Sequence, residues 1–280
     1  MCSKNKSQES SASVGLDEFG KRLGMGFGKS SLTESKVGWF RKIRITESPD
    51  IAIIQETKCN WVNDNWVESI WGSSSFNYIQ KPKVGKSGGL LVIWDPLVFF
   101  VNEAVEKQYF LAIKGRWKGK SMDTIIVNVY GPHKDVGKRK FWEDLDNLMN
   151  CSDVEWVIGG DFNEVRSDEE RQNCVFNEHR AAMFNTFIEN RCLVEIPLLG
   201  RKFTRISDNG LKFSKLDRFL VSENFIISWG DVSAIALDRR TSDHSPIILR
   251  DKNEDFGPKP FKFFDIWLQC PEVEPMIIDA

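Results

Sequence analysis

Long hydrophobic runs, clustered cysteines and an excess of charge of one sign are all missing from this sequence. No apolar stretch among the 280 residues approaches the length that spans a bilayer, and the N-terminus has no hydrophobic signal core. The six cysteines are scattered, with no CxxC pair, which argues against a zinc site and fits reduced thiols. We therefore expect a protein of the nucleus or cytoplasm that is neither secreted nor inserted in a membrane.

Two catalytic signatures are missing as well. The chain has no GxSxG elbow and no glycine-rich phosphate loop followed by Lys-Ser/Thr, which argues against a serine hydrolase and a nucleotide kinase. The formal net charge is -2, so any binding of nucleic acid has to come from local basic patches.

The composition is that of a globular protein. Hydrophobic residues make up 41% of the chain and include 10 Trp and 20 Phe, which is enough for a full core. We predict one domain over residues 31–250. A disordered or unrelated segment at 1–30 precedes it, and a proline-bearing linker at 251–280 follows it.

The stretch VEWVIGGDFN at residues 154–163 organises the rest of the interpretation. Its apolar run followed by two glycines predicts a buried strand with a sharp exit. This strand delivers Asp161 and Asn163 to its carboxyl end, where mixed α/β sheets usually bind ligands, and the spacing lets both side chains point the same way. An Asx-turn that merely closes the strand is the structural alternative.

Apolar runs and alternating patterns predict more strands and a few helices around this stretch. A capping-box spacing at Ser31–Glu34 starts a helix that ends by Pro49. Many strands with few helices indicate packed sheets flanked by helices. The other strands are predicted at about Ile51–Ile54, Phe76–Gln80, Gly89–Trp94, Gln108–Trp117, Met122–Tyr130, Phe203–Ile206, Ser214–Leu220, Val232–Leu237 and Pro246–Leu249, and helices at about Val136–Met149 and Asn177–Asn190.

Four more motifs place polar side chains in or beside predicted strands. Each alone also fits a structural role, such as a surface glutamate, a packed tyrosine, an ion-paired aspartate or an Asx-turn beside a satisfied histidine. The four are Glu56 in IAIIQETK, Tyr130 in IIVNVYGP, Asp217 in SKLDRFLVS and Asp243-His244 in SDHSPIIL.

Together these motifs predict a metal-dependent phosphoryl-transfer site. Hard oxygen ligands for Mg²⁺ or Mn²⁺ are supplied by Glu56, Asp161 and Asp243, with help from Asn163. Of the three histidines, His244 is the strongest acid–base candidate.

Two further side chains complete the chemistry. The carboxylate of Asp217 can orient an imidazole and stabilise its charged form. The phenol of Tyr130 can donate a hydrogen bond to a phosphorane.

In their order and spacing, the motifs QETK, VNVYGP, GGDFN, KLDRFLVS and TSDHSPI resemble those of the endonuclease/exonuclease/phosphatase superfamily. More narrowly, the chain resembles the apurinic-type endonuclease domain of plant LINE-like, non-LTR retrotransposon polyproteins, over about Val37 to Arg250. The segment FGPKPFKFFDIWL then resembles the link toward a reverse transcriptase that is absent here. The resemblance implies a DNase I-like α/β fold, a two-sheet β-sandwich flanked by helices in four α/β/β/α layers.

The resemblance also implies roles for the motif residues. Glu56 binds the divalent metal, Tyr130 contacts the scissile phosphate, and Asp161 activates or orients the attacking water. Asn163 holds the phosphate or that aspartate. Asp243 and His244 act at metal and phosphate, with Asp217 paired to His244; how the base role is divided between Asp161 and His244 stays open.

Two features depart from the family pattern. The family opens with a strand that carries a metal-site asparagine, and nothing in residues 1–36 matches it, so we expect an N-terminally incomplete domain. The family usually has tryptophan after Phe203-Thr204, where this chain has Arg205.

Local charge favours nucleic acid as the substrate, although solvated surface accounts for about half of such runs. Phosphate contacts are expected from six residues near the motifs: Lys134, Lys138, Arg139, Thr204, Arg240 and Ser242. The leading hypothesis is a monomeric Mg²⁺- or Mn²⁺-dependent endonuclease that nicks DNA for retrotransposition. The alternatives are a catalytically impaired remnant that at most binds nucleic acid and, with less support, a small-molecule phosphatase.

Overall fold

The computed structural model describes residues 22–25, 34–84, 87–150, 153–240 and 242–251. This part of the chain contains five α-helices: α1 (Glu34–Glu47), α2 (Asp64–Trp71), α3 (Asp135–Leu148), α4 (Glu178–Asn190) and α5 (Glu223–Trp229). It also contains sixteen strands: β1 (Arg22–Met25), β2 (Ile51–Gln55), β3 (Asn77–Val84), β4 (Ser87–Trp94), β5 (Phe99–Lys107), β6 (Phe110–Trp117), β7 (Asp123–Tyr130), β8 (Glu155–Asp161), β9 (Arg171–Gln172), β10 (Leu193–Glu195), β11 (Leu198–Leu199), β12 (Arg205–Ile206), β13 (Phe213–Ser214), β14 (Asp217–Ser222), β15 (Val232–Ala236) and β16 (Ile247–Asp251).

Two large sheets form the centre of the molecule. One has seven strands in the order β11-β15-β16-β1-β2-β4-β3, and the other has six in the order β10-β14-β8-β7-β6-β5. A small third sheet, β12-β13-β9, lies beside them.

Three hydrophobic clusters fill the spaces between the layers, and strand β2 contributes side chains to two of them. Ile51 and Ile53 belong to the cluster between the two sheets, whereas Ala52 and Ile54 pack under α1 and α2. A third cluster joins the outer face of the six-stranded sheet to α3 and α4. Successive side chains of a strand point to opposite faces, so a continuous apolar run is what a strand buried on both faces requires. The predicted DNase I-like arrangement in four α/β/β/α layers is confirmed.

The position of β1 corrects the prediction for the N-terminal segment. Residues Arg22–Met25 pair in parallel with β2 and antiparallel with β16, so they lie inside the seven-stranded sheet. The expectation of disorder at 1–30 therefore does not hold for these four residues, and the alternative of an unrelated segment stays a prediction. Because β1 satisfies the backbone groups of both neighbours, the sheet has no gap at the place where the family's first strand was expected.

The remaining predicted elements recur with shifted ends, and several others lack a prediction, including the short strands β9, β10 and β11. Helix α1 ends at Glu47, before Pro49, as predicted, while its proposed capping residues 31–33 lie outside the described residues. The strand predicted at Phe203–Ile206 is reduced to its last two residues. Helices α2 and α5 are too short for a clear period, and the exposed β5 shows little apolar alternation. None of the described helices is long and apolar enough to cross a membrane.

Candidate active site

Strand register places three of the predicted polar residues in one row. Parallel pairing of β7 with β8 sets Tyr130 opposite Asp161. Antiparallel pairing of β14 with β8 sets Asp217 opposite Asp161 on its other side. Residues directly paired across neighbouring strands lie about 5 Å apart, so the three functional groups meet at one rim of the six-stranded sheet.

The exit from β8 depends on a glycine and fixes the orientation of Asp161. Gly160 has φ 138°, and a Cβ there would lie 2.1 Å from the backbone oxygen of Val129. Beyond it, the backbone N–H of Asn163 donates to Asp161 Oδ1 at 2.8 Å, and the Asn163 side-chain amide donates to the carbonyl of Gly131 at 2.7 Å. Asn163 therefore holds the aspartate and ties the β8 exit to the β7 exit.

His244 lies between two aspartates. Its Nδ1 is 2.8 Å from Asp217 Oδ2, and its Nε2 is 3.9 Å from Asp161 Oδ2. Burial alone would lower the pKa of His244, but the charges of Asp217 and Asp161 outweigh it and raise that pKa to about 9. Burial raises the pKa of Asp161 to about 7, with His244 opposing and Asp217 adding to the rise. Near neutral pH, then, the imidazole is held charged beside Asp217.

Glu56 comes from the other sheet, on a loop pinned to β4. The backbone N–H groups of Thr57 and Lys58 donate to the carbonyls of Gly89 and Gly88, at 3.2 and 3.1 Å. Gly89 has φ 87°, and a Cβ there would lie 2.3 Å from Thr57 Oγ1, so this contact requires glycine. Glu56 itself adopts φ 50°, a left-handed conformation that non-glycine residues reach mostly where the surroundings enforce it.

Tyr130 connects the two sheets at the site. Its hydroxyl donates to Glu56 Oε1. Burial, then the hydrogen bond and charge of Glu56, then the charges of Asp161 and Asp243, raise the pKa of Tyr130 far above its usual range. Its phenol therefore remains a protonated donor. The charges of Glu56, Asp161 and Asp243 all act on this one hydroxyl group, and Glu56 alone contacts it directly.

Three buried oxygen atoms at this point have no hydrogen-bond partner: Glu56 Oε2 and both carboxylate oxygens of Asp243. Buried carboxylate oxygens without donors are costly unless a cation satisfies them. No group of three or more acidic, histidine or cysteine side chains within the described ranges is arranged to hold a metal ion. One or two carboxylates plus waters is, however, the ligand set that Mg²⁺ usually takes, so the donors fit that ion.

The loop that carries Asp243 and His244 is held from two sides. Ser242 Oγ accepts from the His244 backbone N–H at 3.1 Å, and Ser245 N donates to the carbonyl of Thr204 at 2.7 Å. Arg205, the residue that departs from the family pattern, has its Nε 3.5 Å from Asp243 Oδ2. A cation thus stands next to one of the candidate metal ligands.

Asn128 is a positioning residue that the sequence interpretation missed. It is fully buried, accepts from Gln55 Nε2 at 2.5 Å, and donates to the carbonyls of Ile54 and Leu91 at 3.0 and 3.1 Å. It thereby fastens the strand before Glu56 to the strand that ends at Tyr130. The available signal was a lone amide in the apolar run IIVNVY, on the same face as Tyr130.

Three of the six predicted DNA contacts are corrected. Thr204 is fully buried, and its Oγ1 accepts from the backbone N–H groups of Leu216 and Asp217, both at 3.0 Å. Ser242 is 7% exposed and shapes the His244 turn. Lys138 is 3% exposed and points inward. The internal partners of Thr204 and Lys138 are distant in sequence, and the Ser242 turn is visible only in the folded loop, so the sequence pattern did not reveal these roles.

Lys138 holds the loop after β8. Its Nζ lies 2.9 Å from Glu164 Oε2 and donates to the carbonyl of Asn163 at 2.9 Å. The other three predicted contacts, at Lys134, Arg139 and Arg240, are exposed. A second histidine, His133, is also exposed, with its Nε2 3.3 Å from the Tyr130 hydroxyl.

No curated protein is significantly similar to this chain in sequence. Residues 37–244, more than half of the chain, match the Endonuclease/Exonuclease/phosphatase family. The chain belongs to this family. The candidate site residues all lie within the matched range, and the family comprises hydrolytic nucleases and phosphatases that generally depend on a divalent metal.

Solved structures support the family fold. The AP endonuclease LMAP from Leishmania major is 17% identical with a TM-score of 0.64, over 83% of this chain and 87% of that one. The 3' phosphatase NExo from Neisseria, bound to a product DNA hairpin, is 16% identical with a TM-score of 0.60, over 82% and 98%. The endonuclease domain of TRAS1, a telomere-specific non-LTR retrotransposon, is 12% identical with a TM-score of 0.59, over 83% and 98%. At these identities the likeness establishes the fold.

Proposed function

We propose that this member of the endonuclease/exonuclease/phosphatase family is a Mg²⁺- or Mn²⁺-dependent phosphodiesterase that hydrolyses the DNA backbone. The observation that supports it best is the pairing of two features at one rim. Glu56 and Asp243 present buried oxygens without hydrogen-bond partners, and beside them Asp217 holds a charged His244. The first feature suits a hydrated divalent cation, and the second suits an anionic phosphoryl group.

The residues divide the reaction as follows. Glu56 and Asp243 would hold the divalent ion, which would neutralise charge on the phosphoryl oxygens. Asp161, fixed by the Asn163 N–H, accepts a proton from the attacking water or orients it. The imidazolium of His244 donates to a phosphoryl oxygen, and Asp217 keeps it oriented and charged. The Tyr130 hydroxyl, which donates to Glu56 Oε1 in the structure, would turn to donate to a phosphoryl oxygen from the opposite side of the row when substrate binds.

We further propose that the substrate is DNA nicked during retrotransposition, that the enzyme acts as a monomer and that it works in the nucleus or cytoplasm. The narrower motif resemblance to LINE-like endonucleases supports the first part, as does the likeness to the TRAS1 domain. Exposed cations at Lys134, Arg139 and Arg240 provide phosphate contacts that position a duplex without reading sequence.

A catalytically impaired remnant has less support than a nuclease, because β1 completes the sheet next to β2. A phosphatase acting on small molecules would use the same groups, so substrate choice has to be measured. Phosphate release from inositol phosphates in preference to DNA cleavage would favour it.

Conversion of supercoiled plasmid to nicked circles tests the proposal. We expect nicking with Mg²⁺ or Mn²⁺, none with EDTA, and a loss of at least about 10³-fold in an Asp161→Ala, His244→Ala variant. Lys42→Ala, on the outer face of α1, is the matched control and should keep full activity. Absence of nicking by the folded wild type, or equal nicking by the double variant, would refute the proposal.

A further inference from the structure

A cavity of about 1030 Å³ opens beside the candidate metal centre. Glu56 and Tyr130 form its inner end, and the remaining walls come from the β3–β4 hairpin, the β5–β6 turn and the start of α3. None of the reaction steps above uses this space. Its volume is at the upper end of the roughly 300–1,000 Å³ of ordinary ligand cavities.

A buried lysine braces the outer wall. Lys81, which is 7% exposed, donates from Nζ to the carbonyls of Lys107 and Gln108, at 2.6 and 2.8 Å. These bonds tie β3 of one sheet to the β5–β6 turn of the other. The cavity is therefore built into the rim where the two sheets meet and does not depend on a loose surface loop.

The walls of the cavity are suited to a planar ring. Pro82, Leu90, Tyr109 and Pro132 contribute apolar surface. The ring of Tyr109 is held edge-on against Phe141, with their centroids 6.0 Å apart, so it presents a fixed surface. Aromatic and apolar walls bind nucleobases by stacking, whatever the base.

The mouth of the cavity is cationic. Lys58, Lys107 and Lys134 line it together with His133, whereas Glu106 is the only acidic residue apart from Glu56 among the described residues of the lining. An apolar recess with a basic rim fits a ligand that joins a flat ring to phosphates. His133 stands at the junction, 3.3 Å from the Tyr130 hydroxyl, where a phosphate leaving the metal centre would pass.

We propose that this cavity receives an unpaired nucleoside of the substrate strand, the one adjoining the phosphate bound at Glu56 and Tyr130. The inference rests on the proposed nuclease function. A paired base cannot enter a recess, so the enzyme acts where the strand is single or where a nucleotide has left the stack, as enzymes that reach into duplexes require. His133 and Lys134 contact the phosphate next to that nucleoside.

The test measures binding without cleavage. Fluorescence anisotropy in EDTA gives the Kd for a labelled single-stranded hexanucleotide and for six versions that each lack one base. We expect one position at which loss of the base weakens wild-type binding by about 5- to 100-fold. Equal affinity for all seven oligonucleotides would overturn the proposal.

Variants that fill the cavity provide a second test of the proposal. Gln108→Trp places a bulky ring at the mouth from an exposed turn residue, and Lys107→Trp does so from the neighbouring strand should the first variant fold poorly. We expect either variant to bind all seven oligonucleotides with one affinity, while Lys42→Glu keeps the wild-type pattern. A filled variant that still discriminates the same missing base would refute the assignment.

The two proposals fail separately. Plasmid nicking without any base-dependent binding would leave the nuclease and remove the nucleoside cavity. If the protein never nicks DNA but shows base-dependent binding that Gln108→Trp abolishes, the nucleoside cavity is supported and the nuclease proposal is refuted.

Discussion

Replacing Lys138 by methionine should destabilise the fold, because this lysine neutralises a buried carboxylate. Its Nζ is 2.9 Å from Glu164 Oε2, and the two side chains are 3% and 2% exposed. Removing one partner of such a pair leaves a buried charge and costs about 3–5 kcal/mol. Arg171 is a second, more distant partner of Glu164 at 3.8 Å, so we expect the lower end, about 3 kcal/mol.

That cost corresponds to a fall of roughly 6–12 °C in the thermal midpoint. Thermal melts followed by circular dichroism measure it. The matched control is Lys134→Met, an exposed lysine at the N-cap position of the same helix, which should shift the midpoint by less than about 2 °C. Nicking should also fall in Lys138→Met, since Lys138 holds the carbonyl of Asn163 beside Asp161.

The competing hypothesis is that Lys138 contacts a DNA phosphate. It predicts an unchanged midpoint and a decrease of about one in the salt dependence of DNA binding. A midpoint within 2 °C of the wild type together with that change in salt dependence would refute the structural role.

Three further outcomes follow from the site and the core. Asp217→Asn removes the nearest charge that raises the pKa of His244 to about 9. In this variant the pKa of His244, measured by NMR, should be at least about one unit lower, and nicking should be slower. An unchanged pKa would contradict this. For Glu195, burial is outweighed by the charge of Arg218, and the pKa of Glu195 is lowered from 4.5 to about 2. The ionised Glu195 therefore stabilises the fold by roughly 3 kcal/mol above pH 4.5, and this stabilisation is lost as the pH falls toward 2. In urea titrations over that pH range, Glu195→Gln should lose much less stability than the wild type. Gly160→Ala forces a Cβ to 2.1 Å from a backbone oxygen and introduces roughly 2 kcal/mol of strain. This variant should not nick DNA, and its thermal midpoint should fall by about 5 °C or more. A thermal midpoint equal to that of the wild type would show that the strand exit is adjustable.

The sequence predicted the motif-bearing strands because each carries its signal within a few residues. In VEWVIGG the apolar run and the paired glycines fall next to the side chains that they deliver. Hydrophobic periodicity and turn-forming glycines are local properties of a sequence. Strands β2, β7 and β8 and the polar groups at their ends could therefore be identified before their partners were known. The same local information predicted sheets packed between helices.

Contacts between segments that are distant in sequence decided the structure of residues whose local sequence carries no clear signal. Arg22–Met25 has no strand signature, and it becomes a strand because the open edges of β2 and β16 lie on either side of it. Thr204 and Lys138 look like surface contacts in sequence, yet Leu216 and Glu164 satisfy them inside the core.

The sequence by itself determined which chemical groups the chain carries to its strand ends, because each group lies at or beside the end of its own strand in the sequence. Only the tertiary structure decided which polar side chains face a ligand and which hold the site together. The partners of Asn128 and Lys138 lie on other elements, and burial is a property of the packed sheets that no single segment contains.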